Sequence, residues 1–452
     1  MRDRPRKPVD AGPFLFIRLP MIPRRTGLEH EIFVVEPGGE PSQRAEELVH
    51  GCQRRAAGAG LAPENFTVEW VKNIIELNSP IAGSADELSD VYWRMLGVAR
   101  SAARELGVRL YPYAVYPIHL IPVIRDEMKF HVQVRTIGHE RFANAGRCAG
   151  VHLHLEAPAG TVDASMGVGF ASTAEARREL INVYNLATAL DPVMIALSRS
   201  CPFYEGKSTG LAHHTARYRG SAEYGWDGVY LHHPAVGGLR PYAESAEHLV
   251  QMQFERYHSW LNALDAAEVD RKLFHDAGGD LLSSSWNPVR LNRHGTVELR
   301  NIDSNLPHIV LGVARMVLEL HRRVVDEHLE VTPTAAATTM TVTGNQLRVP
   351  DFEYLRHHLL FGAVSEGLAD QPVSDYVASV LEVARTPVEA GGLGAWIHSL
   401  ADFQTTEAKL LERYFPEGET LSRETGLQLV REACDEFEFC IERGEITGEL
   451  SA

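Results

Sequence analysis

The chain has 452 residues, 44% hydrophobic and 23% charged, with a formal net charge of −16. That length supports a sizeable core and either about three domain-sized units or one large body with appended helices, and the ordinary composition confines any disorder to the ends. The acidic balance excludes an extended basic footprint for nucleic acid or an anionic membrane, although local basic clusters can still hold phosphate.

A basic, Pro-rich leader covers 1–25. Its apolar run 13–22 is interrupted by Arg18 and followed by no small-residue cleavage site, so no signal peptide is expected. Residues 27–35 read GLEHEIFVV, a strand closed by the turn signal Pro37-Gly38-Gly39. A helix follows over 42–59, and 66–77 reads as strand. Ser84 with Glu87 makes a capping box that opens a helix reaching Gly107, with Leu88, Val91, Tyr92, Met95 and Val98 on one stripe. Residues 108–124 are rich in Tyr, Val and Ile and predict a strand, which three prolines confine to an edge or a bend. Residues 131–140 and 150–156 read as a hairpin. Ser172 and Glu175 form a second capping box, opening a helix to about 200 with a kink or break at Pro192.

An irregular Gly- and His-rich section spans 201–240, a helix 243–265 and a strand 295–302. From Pro307 onward nearly every pattern is helical, over 308–328, 351–368, 373–385 and 420–443. Strands joined through long helices, then a run of helices, predict an α+β fold. Five cysteines (Cys52, Cys148, Cys201, Cys434, Cys440) form no CxxC pair, and their odd number leaves at least one thiol unpaired, so reduced thiols and a cytoplasmic protein are expected. No stretch approaches the roughly 20 apolar residues that span a bilayer, so no membrane partner is expected.

Three strand segments far apart in the chain each carry a polar pair two residues apart: Glu29 and Glu31, His152 and His154, Glu298 and Arg300. That spacing puts both members of a pair on one side of a strand, so all six can line one sheet face. Such a face is costly unless it holds something charged, and divalent metal with phosphate makes a nucleotide-using enzyme the first hypothesis. Glu69 and Glu76 flank VEWVKNIIELNSP, where apolar neighbours surround Glu76. Burial without a cation would raise its pKa, so it reads as a metal ligand or as half of a buried ion pair. His152 and His154 read as structural histidines, as contacts to magnesium or phosphate, or as zinc ligands, although HExxH is absent. Glu298 and Arg300 either pair with each other or serve the site. The EGKST of the segment 201–220 lacks the first P-loop glycine, since Cys201 stands there. Gly206, Ser208 and Gly210 fit GxSxG without the preceding buried strand, and the glycines at 167–169 lack the last glycine of a dinucleotide fingerprint.

The ordered set GLEHEIFVV, VEWVKNIIELNSP, GVHLHLE, SRSCPFYEGKSTGLAHHTARYR and NRHGTVELRNID resembles the glutamate-cysteine ligase type 2 superfamily of ATP-dependent carboxylate-amine ligases, over about residues 26–305. Cys201 interrupts the family's Ser-Pro, and the leucine-histidine stretch after Gly210 departs from its Ser-x-Arg ending. The resemblance implies a glutamine-synthetase-like fold, in which a curved antiparallel sheet holds ATP and two or three magnesium or manganese ions. It implies a catalytic ATP-binding domain over 26–306 and a helical C-terminal region over 307–452. By position it makes Glu29, Glu31, Glu76, Glu298 and His152 metal ligands, and Glu298 and Arg300 the catalytic pair, Arg300 meeting the terminal phosphate. His154 and Lys207 join Arg300 at the nucleotide. Glu69, Tyr204, Thr209, Arg217, Arg219 and Arg293 fall to substrate. The implied reaction activates a carboxylate, in the family the side chain of glutamate, as an acyl phosphate for attack by an amine. Small-molecule amino acid or amine substrates and a homo-oligomer go with it, and neither nucleic acid nor membrane. Alternatives on the same residues are a guanidino-type phosphotransferase and a degenerate nucleotide-binding protein.

Overall fold

A computed structural model describes residues 24–384, 404–414 and 420–447. Most of the leader, the apolar run 13–22 and the last residue of the helix expected over 373–385 lie outside them. Seven strands form the central sheet: β1 (Thr26–Val35), β2 (Phe66–Val68), β3 (Ile74–Asn78), β4 (Arg109–Tyr111), β5 (Gly150–Glu156), β6 (Val289–Asn292) and β7 (Thr296–Asp303). Their order is β6-β7-β5-β1-β3-β2, with β4 pairing the far end of β1, and every pairing is antiparallel. Period-two patterning divides the sheet into two faces. Leu28, Ile32, Ile75, Leu77, Val151, Leu153, Leu155, Val297 and Leu299 are all buried on one of them, each worth roughly 1.5–3 kcal/mol of transfer free energy.

Helices cover that apolar face. They are α1 (Ala45–Ala56), α2 (Ala85–Leu106), α3 (Ala174–Ser198), α4 (Ala246–Ala266) and α5 (Pro307–Asp326), of which α1, α2, α3 and α5 touch the strands directly and α4 packs against α3. The Ser84 hydroxyl caps α2 by accepting from the Glu87 N–H at 3.1 Å, and Gly107 ends it in the left-handed region at φ 75°. The cap of α3 is Thr173 rather than Ser172, its hydroxyl accepting from the Ala176 N–H at 3.1 Å. Helix α3 continues through Pro192 because its second half is enclosed on all sides by the core. It is long and apolar enough to cross a membrane by composition, with mean hydropathy 1.4, which departs from the sequence expectation; 89% of that window is buried inside the protein.

One histidine belongs to this apolar layer. His30 points away from the charged face, where its Nε2 lies 2.8 Å from the Ser304 hydroxyl and its Nδ1 2.8 Å from the Tyr92 hydroxyl. Ser304 donates onward to the Pro112 carbonyl at 2.7 Å, so Nε2 carries the proton. Burial pushes this imidazole down to about 3, and it stays neutral.

Two further expectations fail. Residues 131–140 form helices Met128–Ile137 and His139–Ala143 instead of one arm of a hairpin, and β5 pairs with β1 and β7. Of 108–124 only β4 is strand, as the prolines divide the rest into turns. The C-terminal region carries its helices and adds a separate three-stranded sheet of Glu330–Thr334, Thr341–Thr343 and Gln346–Pro350. Beyond it, α6 (Arg423–Thr447) packs on α2 and β4, where Arg104 pairs with Glu438 and Arg109 with Asp435. All five cysteines are free thiols, four of them buried.

Candidate functional site

The second face of the sheet is charged, with His152, His154 and Glu298 buried and Glu29, Glu31, Glu76 and Arg300 half-buried. The register sets Glu31 opposite Glu76, Glu29 opposite His152, and Glu298 opposite His154, so residues from four strands meet on one side. Glu298 is fully buried and clamped by arginines: Arg290 donates from Nε to Oε2 at 2.8 Å and from Nη2 to Oε1 at 3.0 Å. The Asn292 amide and Arg300 Nη1 also donate to it. Glu29 lies between two imidazoles, 2.7 Å from His152 Nδ1 and 3.1 Å from His154 Nε2. His154 Nδ1 in turn lies 2.9 Å from the Thr296 hydroxyl.

Further along, Glu31 Oε2 accepts from the Gly150 N–H at 2.8 Å. Glu76 Oε1 accepts from the Thr67 hydroxyl at 3.1 Å and the Asn78 amide at 2.9 Å. Glu69 follows β2 directly, and its carboxylate accepts from the Trp70 N–H at 2.9 Å. Two sets of donor atoms lie within 4.8 Å of one another, Glu29–His152–Glu298 and Glu31–Glu76–His152.

The carboxyl groups titrate in opposite directions. Burial opposes the charge on Glu298, yet Arg290 and Arg300 hold it well below the usual range. Glu29 is likewise low, since bonds from His152 and His154 outweigh its burial. Glu31 is pushed up to about 8, first by burial and then by Glu76. Glu69 and Glu76 are also raised, burial first, then the neighbouring carboxylates Glu76 and Glu31 on Glu69 and Glu29 on Glu76. Burial and Arg300 push His152 down to about 4, leaving a neutral imidazole. Carboxylate oxygens with one neutral imidazole form a hard donor set suited to magnesium or manganese. Glu31, Glu69 and Glu76, half-buried together with their pKa values raised, fit such an ion.

Beside the carboxylates stand arginines with unused donors. Arg300 Nε is buried without a hydrogen-bond partner, as are Nε and Nη1 of Arg217 and Nη2 of Arg219. Arg217 is 1% exposed and lies over the rings of Trp226 and Tyr204, at 4.2 and 5.2 Å from their centres. Arg219 donates to Asn301 Oδ1 at 3.2 Å. Unpaired buried guanidinium N–H groups cost stability and offer an anion its partners.

The structure thus brings together Glu29, Glu31, Glu69, Glu76, His152, His154, Glu298 and Arg300, with Arg219 close by. Tyr204 hydrogen-bonds Asn144 and Arg147 under the Arg217 guanidinium, and the Thr209 hydroxyl is buried without a partner. Lys207, exposed on a two-residue hairpin, and Arg293, paired with Asp280 at 2.9 Å, take no part in the hydrogen-bond network of the face. Arg290, Asn292, Asn78 and Thr67 belong to the network and escaped the sequence reading. Their signal was present, because VRLN, ELN and TVE repeat the two-residue polar spacing of the other strands.

Comparison with known proteins adds three findings. The model of glutamate-cysteine ligase family 2 matches residues 25–359. A putative glutamate–cysteine ligase 2 of Gloeobacter violaceus is 27% identical over 187 residues, 41% of this chain and 44% of that protein. A glutamate–cysteine ligase of Natronomonas pharaonis is 24% identical over 280 residues, 61% of this chain and 63% of that one. The chain therefore spans less than two thirds of the length of these curated relatives. Among solved structures, a glutamate–cysteine ligase from Francisella tularensis in complex with AMP superposes with a TM-score of 0.52 at 11% identity, over 95% of this chain and 93% of that one. At that identity the likeness is one of fold.

Proposed function

This chain belongs to glutamate-cysteine ligase family 2, and from that premise we propose that it is an ATP- and magnesium-dependent carboxylate-amine ligase. A carboxylate oxygen of one substrate attacks the γ-phosphorus of ATP, the bond to the β-phosphate oxygen breaks, and ADP leaves an acyl phosphate behind. An amine then attacks the acyl carbon, phosphate departs, and an amide remains. Phosphoryl transfer of this kind depends on positioning and charge neutralisation, with no covalent nucleophile from the protein.

One observation carries the reading: a fully buried Glu298 clamps Arg290 and Arg300 beside half-buried carboxylates whose pKa values are raised, while Arg300 keeps Nε unpartnered. Arg300 is the group we assign to the γ-phosphate. Glu29, Glu31, Glu76, Glu298 and His152 would hold the divalent cation, which when bound neutralises phosphate oxygens and orients the nucleotide. Arg217 and Arg219 offer unpaired donors for the carboxylate groups of an amino acid substrate. The AMP of the Francisella structure agrees with a nucleotide on this fold, and the relatives' names make glutamate and cysteine the first pair to test.

Glu298→Gln and Arg300→Lys should each abolish ADP release while the circular dichroism spectrum stays native, and full turnover by both variants would defeat the assignment. Substrates are identified by phosphate release with ATP and magnesium across paired amino acids, with product masses measured. A mass gain equal to amide condensation is expected. ADP formed from a single guanidino compound without free phosphate would instead indicate a phosphotransferase.

A further inference from the structure

The charged face does not end at Glu31. Across a bulge in β7 the register sets Asp303 opposite Gly150, two residues before His152 on β5 and therefore on the same side of the sheet. Asp303 is fully buried, and both of its oxygens are taken. Oδ2 accepts from the Ser200 N–H at 2.8 Å, the Ser200 hydroxyl at 3.1 Å and the Cys201 thiol at 3.5 Å. Oδ1 accepts from the His214 N–H at 2.9 Å, from His214 Nδ1 at 2.6 Å, and stands 3.1 Å from His213 Nε2.

The donor atoms of His213, His214 and Asp303 lie close enough to hold a metal, but they already satisfy one another, and an ion would have to displace those bonds. The two imidazoles differ. His213 Nδ1 accepts from the Thr215 N–H at 3.2 Å, so its proton sits on Nε2 and both ring nitrogens are used. His214 has its Nδ1 proton fixed on Asp303, which leaves the lone pair on Nε2, and Nε2 has no hydrogen-bond partner among the described residues.

The direction of that free edge is given by Gly150. A Cβ at Gly150 would stand 3.4 Å from both Cε1 and Nε2 of His214, so the imidazole edge occupies the space a side chain would take on the charged face. The same Gly150 donates its N–H to Glu31. His214 therefore borders the carboxylate cluster, oriented by a buried carboxylate, in the arrangement by which an Asp fixes a histidine tautomer for proton transfer.

We propose that His214, oriented by Asp303, is the base that deprotonates the incoming amine. The proposal rests on the ligase reading, in which an amino acid acceptor arrives as an ammonium and cannot attack until it loses a proton. One N–H proton passes to Nε2, and the freed nitrogen pair forms the C–N bond. The C–O bond to phosphate then breaks with its electron pair on phosphate, which carries off the second proton. Asp303 is a positioning residue in this scheme.

The test compares two nucleophiles. Hydroxylamine is unprotonated at pH 7 and attacks an acyl phosphate without a base, whereas amino acids require one. With ATP, magnesium and glutamate, His214→Asn and His214→Gln should lower amide formation from the twenty amino acids, read by product mass, by about 100-fold or more, the range of a general base. Hydroxamate formation should stay within about threefold of wild type, which also reports that the variants fold and activate the carboxylate. Equal loss of both products, or loss of neither, overturns the proposal and leaves the ligase reading standing. Wild-type protein that makes hydroxamate but no amino acid amide also overturns it. Wild-type protein that makes neither product with any of the twenty amino acids as the acid defeats the ligase reading, and the proposal falls with it.

Discussion

The two halves of the charged face use the same residue type under opposite conditions. Around β5, β6 and β7, Glu29 and Glu298 meet Arg290, Arg300, His152 and His154, and both carboxyl groups are held low. Around β1, β2 and β3, Glu31, Glu69 and Glu76 face mainly one another, and all three are raised. Burial acts alike on both halves, so the difference lies in the partners. In the first half the chain supplies the counter-charges itself, so its charge balance is complete before any cation binds. The second is arranged for a cation that the chain itself does not supply.

The largest effect should come from breaking the complete half. Glu298→Ala leaves the half-buried Arg290 and Arg300 without their anion, and should cost about 3 kcal/mol in urea unfolding of the metal-free protein. A loss under about 1 kcal/mol would mean that the clamp is relaxed by water.

The incomplete half should show itself through pH. The folded state holds the Glu31 proton more tightly than the unfolded chain, whose glutamates titrate near about 4.3. The stability this gives is complete below that value and is lost as pH rises through about 8. Metal-free protein should therefore lose about 1 kcal/mol between pH 7 and 8 from this group. Glu31→Gln should flatten that slope, and magnesium should remove it in the wild type. An unchanged slope in the variant would assign it to another group.

The smallest effect is expected outside both halves. Arg293 forms a half-exposed pair with Asp280, so Arg293→Ala should change stability by less than about 0.5 kcal/mol and leave ADP release unaltered. A marked loss of turnover would return Arg293 to the substrate site.

Much of this face was legible because side chains alternate strictly along a strand, which placed Glu29 with Glu31 and His152 with His154 before any fold was known. The same rule holds for Arg290 and Asn292, but a single arginine in a short strand resembles ordinary solvent-facing charge. At Asp303 the rule itself fails. Arg300 and Asn301 together oppose His152, and beyond this bulge Ile302 faces the apolar layer and Asp303 the charged one, so parity counted from Glu298 misplaces both. Residues 131–136, HVQVRT, alternate as a strand would, yet they are helical. Phe130, Val132 and Ile137 are buried there, and Val132 and Ile137 join the second apolar cluster with Trp260, a tertiary contact that overrides local preference. Pro333 and Pro350 concealed the small C-terminal sheet, because proline is accepted mainly on edges.

By itself, then, the sequence determined the α+β class, the strands that carry charge, and the side of each strand on which the charge lies, because these follow from local periodicity. Which carboxylates are neutralised and which are left for a cation, and which histidine keeps a free nitrogen, only the tertiary structure decided. Those properties depend on register, on a one-residue bulge and on burial, which join strands far apart in the chain, as Glu29 and His152 are joined.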